Sequence, residues 1–278
     1  MDWTWHPHPE VWVLAITLFA GYRLALTRLG PGRVSPGEPV ATPSQRRSFL
    51  AGLIALIAVS DWPMHDLAEG YLYSAHMIQH LVLTLVMPPL LLRGTPSWLF
   101  RLLVPPRAMG VLRRLARPIV ALVIFNIAVV ASHWPVMVDA ATRHEAAHLG
   151  QHVVIVGTAL LMWMPIFSPV LEIPRLALPG QMLYLFLQSL VPTVPASFLT
   201  FGDRPLYPIY ETFPRLAGIS ALSDMRTAGL IMKIAGGLAL WVVIASIFFK
   251  WAALEQTDGV DALEWTDLDR TMSRMELK

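Results

Sequence analysis

The sequence predicts an all-α polytopic membrane protein with seven transmembrane helices. Its 278 residues are 55% hydrophobic and only 14% charged, and the apolar residues are spread along the chain rather than gathered in one block. That composition belongs to an integral membrane protein, not to a soluble enzyme with a single anchor. Apolar runs long enough to cross a bilayer core recur between short polar loops. None shows the period-2 alternation of a barrel strand, which leaves helices as the spanning element.

The first run, 11–29, has no basic residue before it and no small-residue cleavage motif, so it reads as a retained span rather than a signal peptide. Six more follow at about 49–62, 72–92, 119–133, 146–167, 181–201 and 228–251, the second and fourth being short. Together they define a transmembrane domain over residues 1–251, followed by an acid-rich tail at 252–278 that is expected to be amphipathic or partly disordered. The stretch "GPGRVSPGEPVATP" reads as a flexible loop between the first two spans.

Orientation follows from the loop charges. With seven spans, sixteen Lys and Arg residues fall on one side and four, Arg143, Arg204, Arg215 and Arg226, on the other. The basic side is expected to be cytoplasmic, which puts the N-terminus outside and the C-terminus in the cytoplasm of a multi-pass bacterial inner-membrane protein. Net charge is only +2, with the basic residues in short loops, so nucleic acid is not an expected partner and the lipid bilayer is. The chain has no cysteine. Disulfides, thiolate metal sites and thiol-redox chemistry are excluded, and any metal must be held by nitrogen, oxygen or thioether groups.

All nine histidines fall on or near the outer face in this topology. Two stretches share a frame: "HMIQH" at 76–80 opens the third span and "HLGQH" at 148–152 opens the fifth. Both spans run inward, and residues i and i+4 share one helix face, so two such faces can converge. His76, His80, His148 and His152 are therefore candidate ligands of one metal ion or a close pair. Buried ionisable groups in a span are costly and tend to face a partner or cavity, whereas His6, His8 and His65 read singly as interfacial residues with a polar tip in water. His133, at the end of the fourth span, is intermediate.

Gln79 and Gln151 either orient an imidazole or bridge helices. Asn126 and Gln188 suit interhelical hydrogen bonding, and Lys233 either snorkels or pairs with an acid such as Asp224. Imidazole suits copper, zinc, iron and nickel, and copper binds tightest in the divalent series. Met64, Met77, Met137, Met225 and Met232 near the same face add a weak pointer to Cu(I), since Met is also a common packing residue. Asp61, Asp66, Asp139 and Glu145 are the carboxylates identified in the outer loops. "HEAAH" at 144–148 fits the H-E-x-x-H letters of a zinc protease but shares His148 with the second pair and leaves the first unexplained. A bis-histidine haem, as in a haem-b oxidoreductase, is a further alternative that would use two of the four.

The segments "YLYSAHMIQHLVLTLVMPPLLLRGTP", "SHWPVMVDAATRHEAAHLGQHVVIVGTALLMWMPI" and "ALSDMRTAGLIMKIAGGL" together resemble the multi-span CtaG-type cytochrome c oxidase assembly factors of bacteria. The resemblance covers most of residues 10–251, and the H-M-x-Q-H-x-L…P-P-L-L-L-x-G-x-P block carries most of it. It implies seven spans, no catalytic role of the chain's own, and help in maturing a haem-copper oxidase, with copper handled for its metal centres. The partners it implies are oxidase subunits and other copper chaperones. By position, His76 and His80 match the third-span histidines, His133 the W/H-P turn, and His148 with His152 the fifth-span pair. His144 has no counterpart, and the last span departs at Lys233 and Ala235. A metal-free assembly scaffold is the remaining alternative.

Overall fold

Proline sets the start of many of this chain's helices, because its fixed φ and missing N–H cost nothing in a first turn. In the computed structural model, which describes residues 6–276 and side chains through residue 256, all regular structure is helical. The helices are α1 (Pro9–Leu29), α2 (Pro43–Ser60), α3 (Met64–Gly70), α4 (Tyr73–Gly94), α5 (Ser97–Leu103), α6 (Pro106–Leu115), α7 (Pro118–Ser132), α8 (Pro135–Arg143), α9 (Glu145–Phe167), α10 (Leu178–Phe201) and α11 (Ala221–Gln256). Thr42 and Gln45 close a reciprocal capping box at the start of α2.

Five of these, α1, α4, α9, α10 and α11, are long and apolar enough to cross a membrane. Two bent pairs, α2 with α3 at 44° and α6 with α7 at 79°, raise the number to seven if each pair is one span. The two short apolar runs, 49–62 and 119–133, fall in these pairs. The bend between α2 and α3 falls at "DWPM" and that between α6 and α7 at "ARP", each a position where a proline interrupts the helical hydrogen bonding.

The backbone of α11 stays helical to Glu276, so the tail expected to be partly disordered continues the last helix. Side chains from residue 257 on, and residues 1–5 and 277–278, lie outside the described residues, as do the tail's expected amphipathic face and separate domain. The loop at 30–42, expected to be flexible, is instead docked. Trp98 Nε1 donates to Val40 O at 2.8 Å, and Ala41 is buried beside Tyr22 and Trp98.

Helix α9 packs against α4, α7 and α8, with Ala159, Met162 and Trp163 fully buried. Glycines let backbones approach where lipid offers no hydrophobic drive for helix association. A Cβ on Gly94 of α4 would come within 2.5 Å of Phe49 N in α2, and one on Gly229 of α11 within 2.7 Å of Ala196 O in α10. Asn126 and Gln188 exchange side-chain hydrogen bonds of 3.1 and 3.4 Å between α7 and α10, as their polarity within spans predicted.

Candidate metal centre

Two structural devices aim the first histidine pair. At the head of α4, the buried carboxylate of Asp224 from α11 accepts from Tyr73 N at 2.6 Å and Ser74 N at 3.1 Å, and from the Ser74 hydroxyl. A carboxylate at a helix N-terminus meets unpaired N–H groups and the positive end of the helix dipole, so it anchors α4 one turn before His76. Of the two readings of Lys233, snorkelling or pairing with an acid such as Asp224, the second is not seen: Asp224 is engaged at the head of α4, and Lys233 makes no ion pair among the described residues.

Below the pair, α4 widens into a π turn at Val82–Val86. Pro88 has no N–H to give the carbonyl four residues earlier, Thr84 O, and Trp163 Nε1 of α9 donates to it instead at 2.8 Å. The Thr84 hydroxyl in turn donates to His80 O at 2.6 Å. The proline pair of the sequence block thus ties α4 to α9 directly beneath the histidines.

The expected convergence occurs. Ring centroids lie 4.2 Å apart for His76–His80 and for His148–His152, 5.1 Å for His80–His152, and 6.0 Å for His76–His148. One nitrogen from each of His76, His80 and His152 falls within 4.8 Å of the others. His80 is 5% exposed, and neither of its ring nitrogens has a hydrogen-bond partner among the described residues; the same holds for His152 Nε2. Buried polar atoms are almost always paired, so these unpaired imidazole nitrogens make the cluster a candidate ligand site.

Sequence reasoning missed Glu69. It stands at the end of α3, where Oε1 lies 2.8 Å from His148 Nε2 and 3.8 Å from His76 Nδ1. One carboxylate and two imidazoles form a second group able to hold a cation, adjoining the first through His76. The only local signal was an acid two helical turns before His76 in "EGYLYSAH", and the helix break at Tyr71 and Leu72, with α3 packed against α4, gives that spacing its meaning.

The cluster extends in both directions. Towards the chain's start, His65 lies between His8 at 4.3 Å and His148 at 6.2 Å between ring centroids, and Asp66 binds both His8 Nε2 at 2.7 Å and His6 Nδ1 at 3.1 Å. These three histidines are therefore tied into the assembly rather than separate interfacial residues. Towards the bundle interior, His133 lies 6.4 Å from His80, and its backbone carbonyl accepts from the Tyr207 hydroxyl at 2.8 Å.

Of the glutamines, fully buried Gln79 donates to His65 Nδ1 at 3.2 Å and so orients an imidazole, though not one of the four. Gln151 donates to Ser132 O at 3.1 Å and bridges α9 to α7. The "HEAAH" letters do not assemble. His144 is an exposed residue at the N-cap of α9 with extended backbone (φ −132, ψ 112), and Glu145 is exposed beside it.

An all-helical bundle with spans of membrane length and a histidine cluster at one end has the features of a multi-pass membrane protein with a candidate metal site. The chain belongs to the cytochrome c oxidase caa3 assembly factor family (Caa3_CtaG), whose family model matches residues 20–253. Comparisons with curated proteins and with solved structures give no match.

Proposed function

We propose that the chain binds copper at the histidine cluster and delivers it to a haem-copper cytochrome c oxidase during assembly. Copper here is cargo rather than a resident cofactor. The observation that carries this reading is His80, whose two ring nitrogens are buried, unpaired and close to those of His76 and His152. Membership of an assembly-factor family supports the oxidase as recipient. An all-imidazole set with one carboxylate suits a late first-row metal better than magnesium or calcium, which require mostly oxygen.

The residues share the work. His80 and His152 offer nitrogens with no competing bond. His76 and His148 complete the ring of donors, while Glu69 supplies a negative charge that offsets the ion's own. Imidazoles need not lose a proton to bind at neutral pH, unlike thiols, and they release metal on protonation, a useful property for a donor. The sixteen-to-four imbalance of basic residues supports placing the histidine end outside a bacterial cytoplasmic membrane, with the C-terminus in the cytoplasm. Oxidase subunits and other copper chaperones would meet the protein there.

Metal analysis of the purified protein tests this, with wild type beside His80→Ala/His152→Ala. Copper is expected in the wild type and lost in the double variant, and cells carrying the variant are expected to build oxidase deficient in copper. Equal copper in both proteins would remove the proposed site.

A further inference from the structure

His133 faces a sulfur atom in a way that ordinary hydrogen bonding does not explain. Its Nδ1 lies 2.7 Å from Val129 O, and the Ser132 hydroxyl, which itself donates to Val129 O, is 3.1 Å away. A carbonyl can only accept, so Nδ1 carries the ring proton. Nε2 then presents a lone pair, and 3.5 Å from it is Met77 Sδ, which also has no proton to give. Two acceptors therefore confront each other where His133 is 7% and Met77 2% exposed. A second ring proton would create a buried cation with no ion pair among the described residues, a costly arrangement.

A soft cation resolves the confrontation. With metal–nitrogen and metal–sulfur lengths of about 2.0 and 2.3 Å, a 3.5 Å separation corresponds to a ligand–metal–ligand angle of roughly 110°, close to tetrahedral. Thioether with imidazole selects Cu(I) over Zn(II) or Cu(II). On one side His133 neighbours His80 at 6.4 Å between centroids. On the other, His80, His133 and Met77 line a cavity of about 60 Å³ that continues between α4, α10 and α11 to Met232.

We propose that His133 Nε2 and Met77 Sδ form a second, softer station that takes copper in its +1 state from His80 and holds it beside this cavity. The ligands grade from carboxylate and imidazole at Glu69, His76 and His148, through imidazole alone at His80 and His152, to imidazole and thioether. Such a series favours the reduced ion increasingly from its first member to its last and gives transfer a direction. This station rests on reading the histidine cluster as a copper site.

X-ray absorption spectroscopy of the full chain, loaded anaerobically with Cu(I) in detergent, tests it. The expected result is a sulfur scatterer at about 2.3 Å in the wild type, reduced by half or more in Met77→Leu, with copper still bound through nitrogen. Leucine keeps the side chain's bulk, and the wild-type spectrum is informative by itself. Copper bound through nitrogen alone in the wild type would overturn the second station and leave the cluster standing, as would a sulfur signal unchanged in Met77→Leu. A wild type that binds no copper would overturn both.

Discussion

Glu69 Oε1 lies 2.8 Å from His148 Nε2, joining the end of α3 to the first turns of α9 through an ion-pair contact. The carboxylate orients one ring of the candidate site and lowers the cost of gathering positive charge there. Groups that orient metal ligands typically contribute about 10–100-fold to affinity. Glu69→Gln, which keeps shape and removes charge, is expected to weaken copper binding by that factor. A chelator-competition titration reads it, and an unchanged affinity would make Glu69 a packing residue.

Asp224 is expected to matter through stability. It accepts two backbone N–H groups and a hydroxyl at the head of α4, and hydrogen bonds to a charged group are worth about 1.5–3 kcal/mol each. Asp224→Ala should therefore lower the unfolding free energy by about 3 kcal/mol or more, and Asp224→Asn by less because one acceptor remains. Thermal unfolding in detergent measures both. An ion pair with Lys233 would instead make Lys233→Met equally damaging.

Trp163→Phe isolates the tie beneath the histidines. It preserves most of the ring while leaving Thr84 O, freed by Pro88, without its donor. The expected cost is about 1–3 kcal/mol, that of a buried unsatisfied carbonyl. A variant as stable as wild type would show that the π turn satisfies itself.

The zinc-protease letters have a separate test. His144 and Glu145 are exposed and outside the cluster, so His144→Ala and Glu145→Gln are expected to leave copper content unchanged. His152→Ala should reduce it about tenfold or more. Loss of metal or of a proteolytic activity in Glu145→Gln would restore the hydrolase reading.

What the sequence revealed follows the range of each interaction. Spans were legible because hydropathy sums over some twenty residues, and the histidine pairs because i and i+4 share a helix face whatever the tertiary structure. Their convergence needed only that both spans enter from one end. Glu69 was hidden because the helix break at Tyr71 and Leu72, which sets how α3 packs against α4, leaves no mark in hydropathy. Asp224 was weighed only as a partner for Lys233, nine residues further along the same helix, while the groups it binds, Tyr73 and Ser74, are about 150 residues away. Val40 and Ala41 looked mobile from their Pro and Gly neighbours, yet Trp98, nearly sixty residues on, holds them down.

The donors at the centre come from separate stretches of backbone: Glu69 from α3, His76 and His80 from α4, His148 and His152 from α9. An ion bridging them would staple those stretches together, because whatever binds only the folded arrangement stabilises it. The filled carrier would then be stiffer and harder to melt than the empty one. A recipient could sense its burden through that mechanical difference and release the discharged protein.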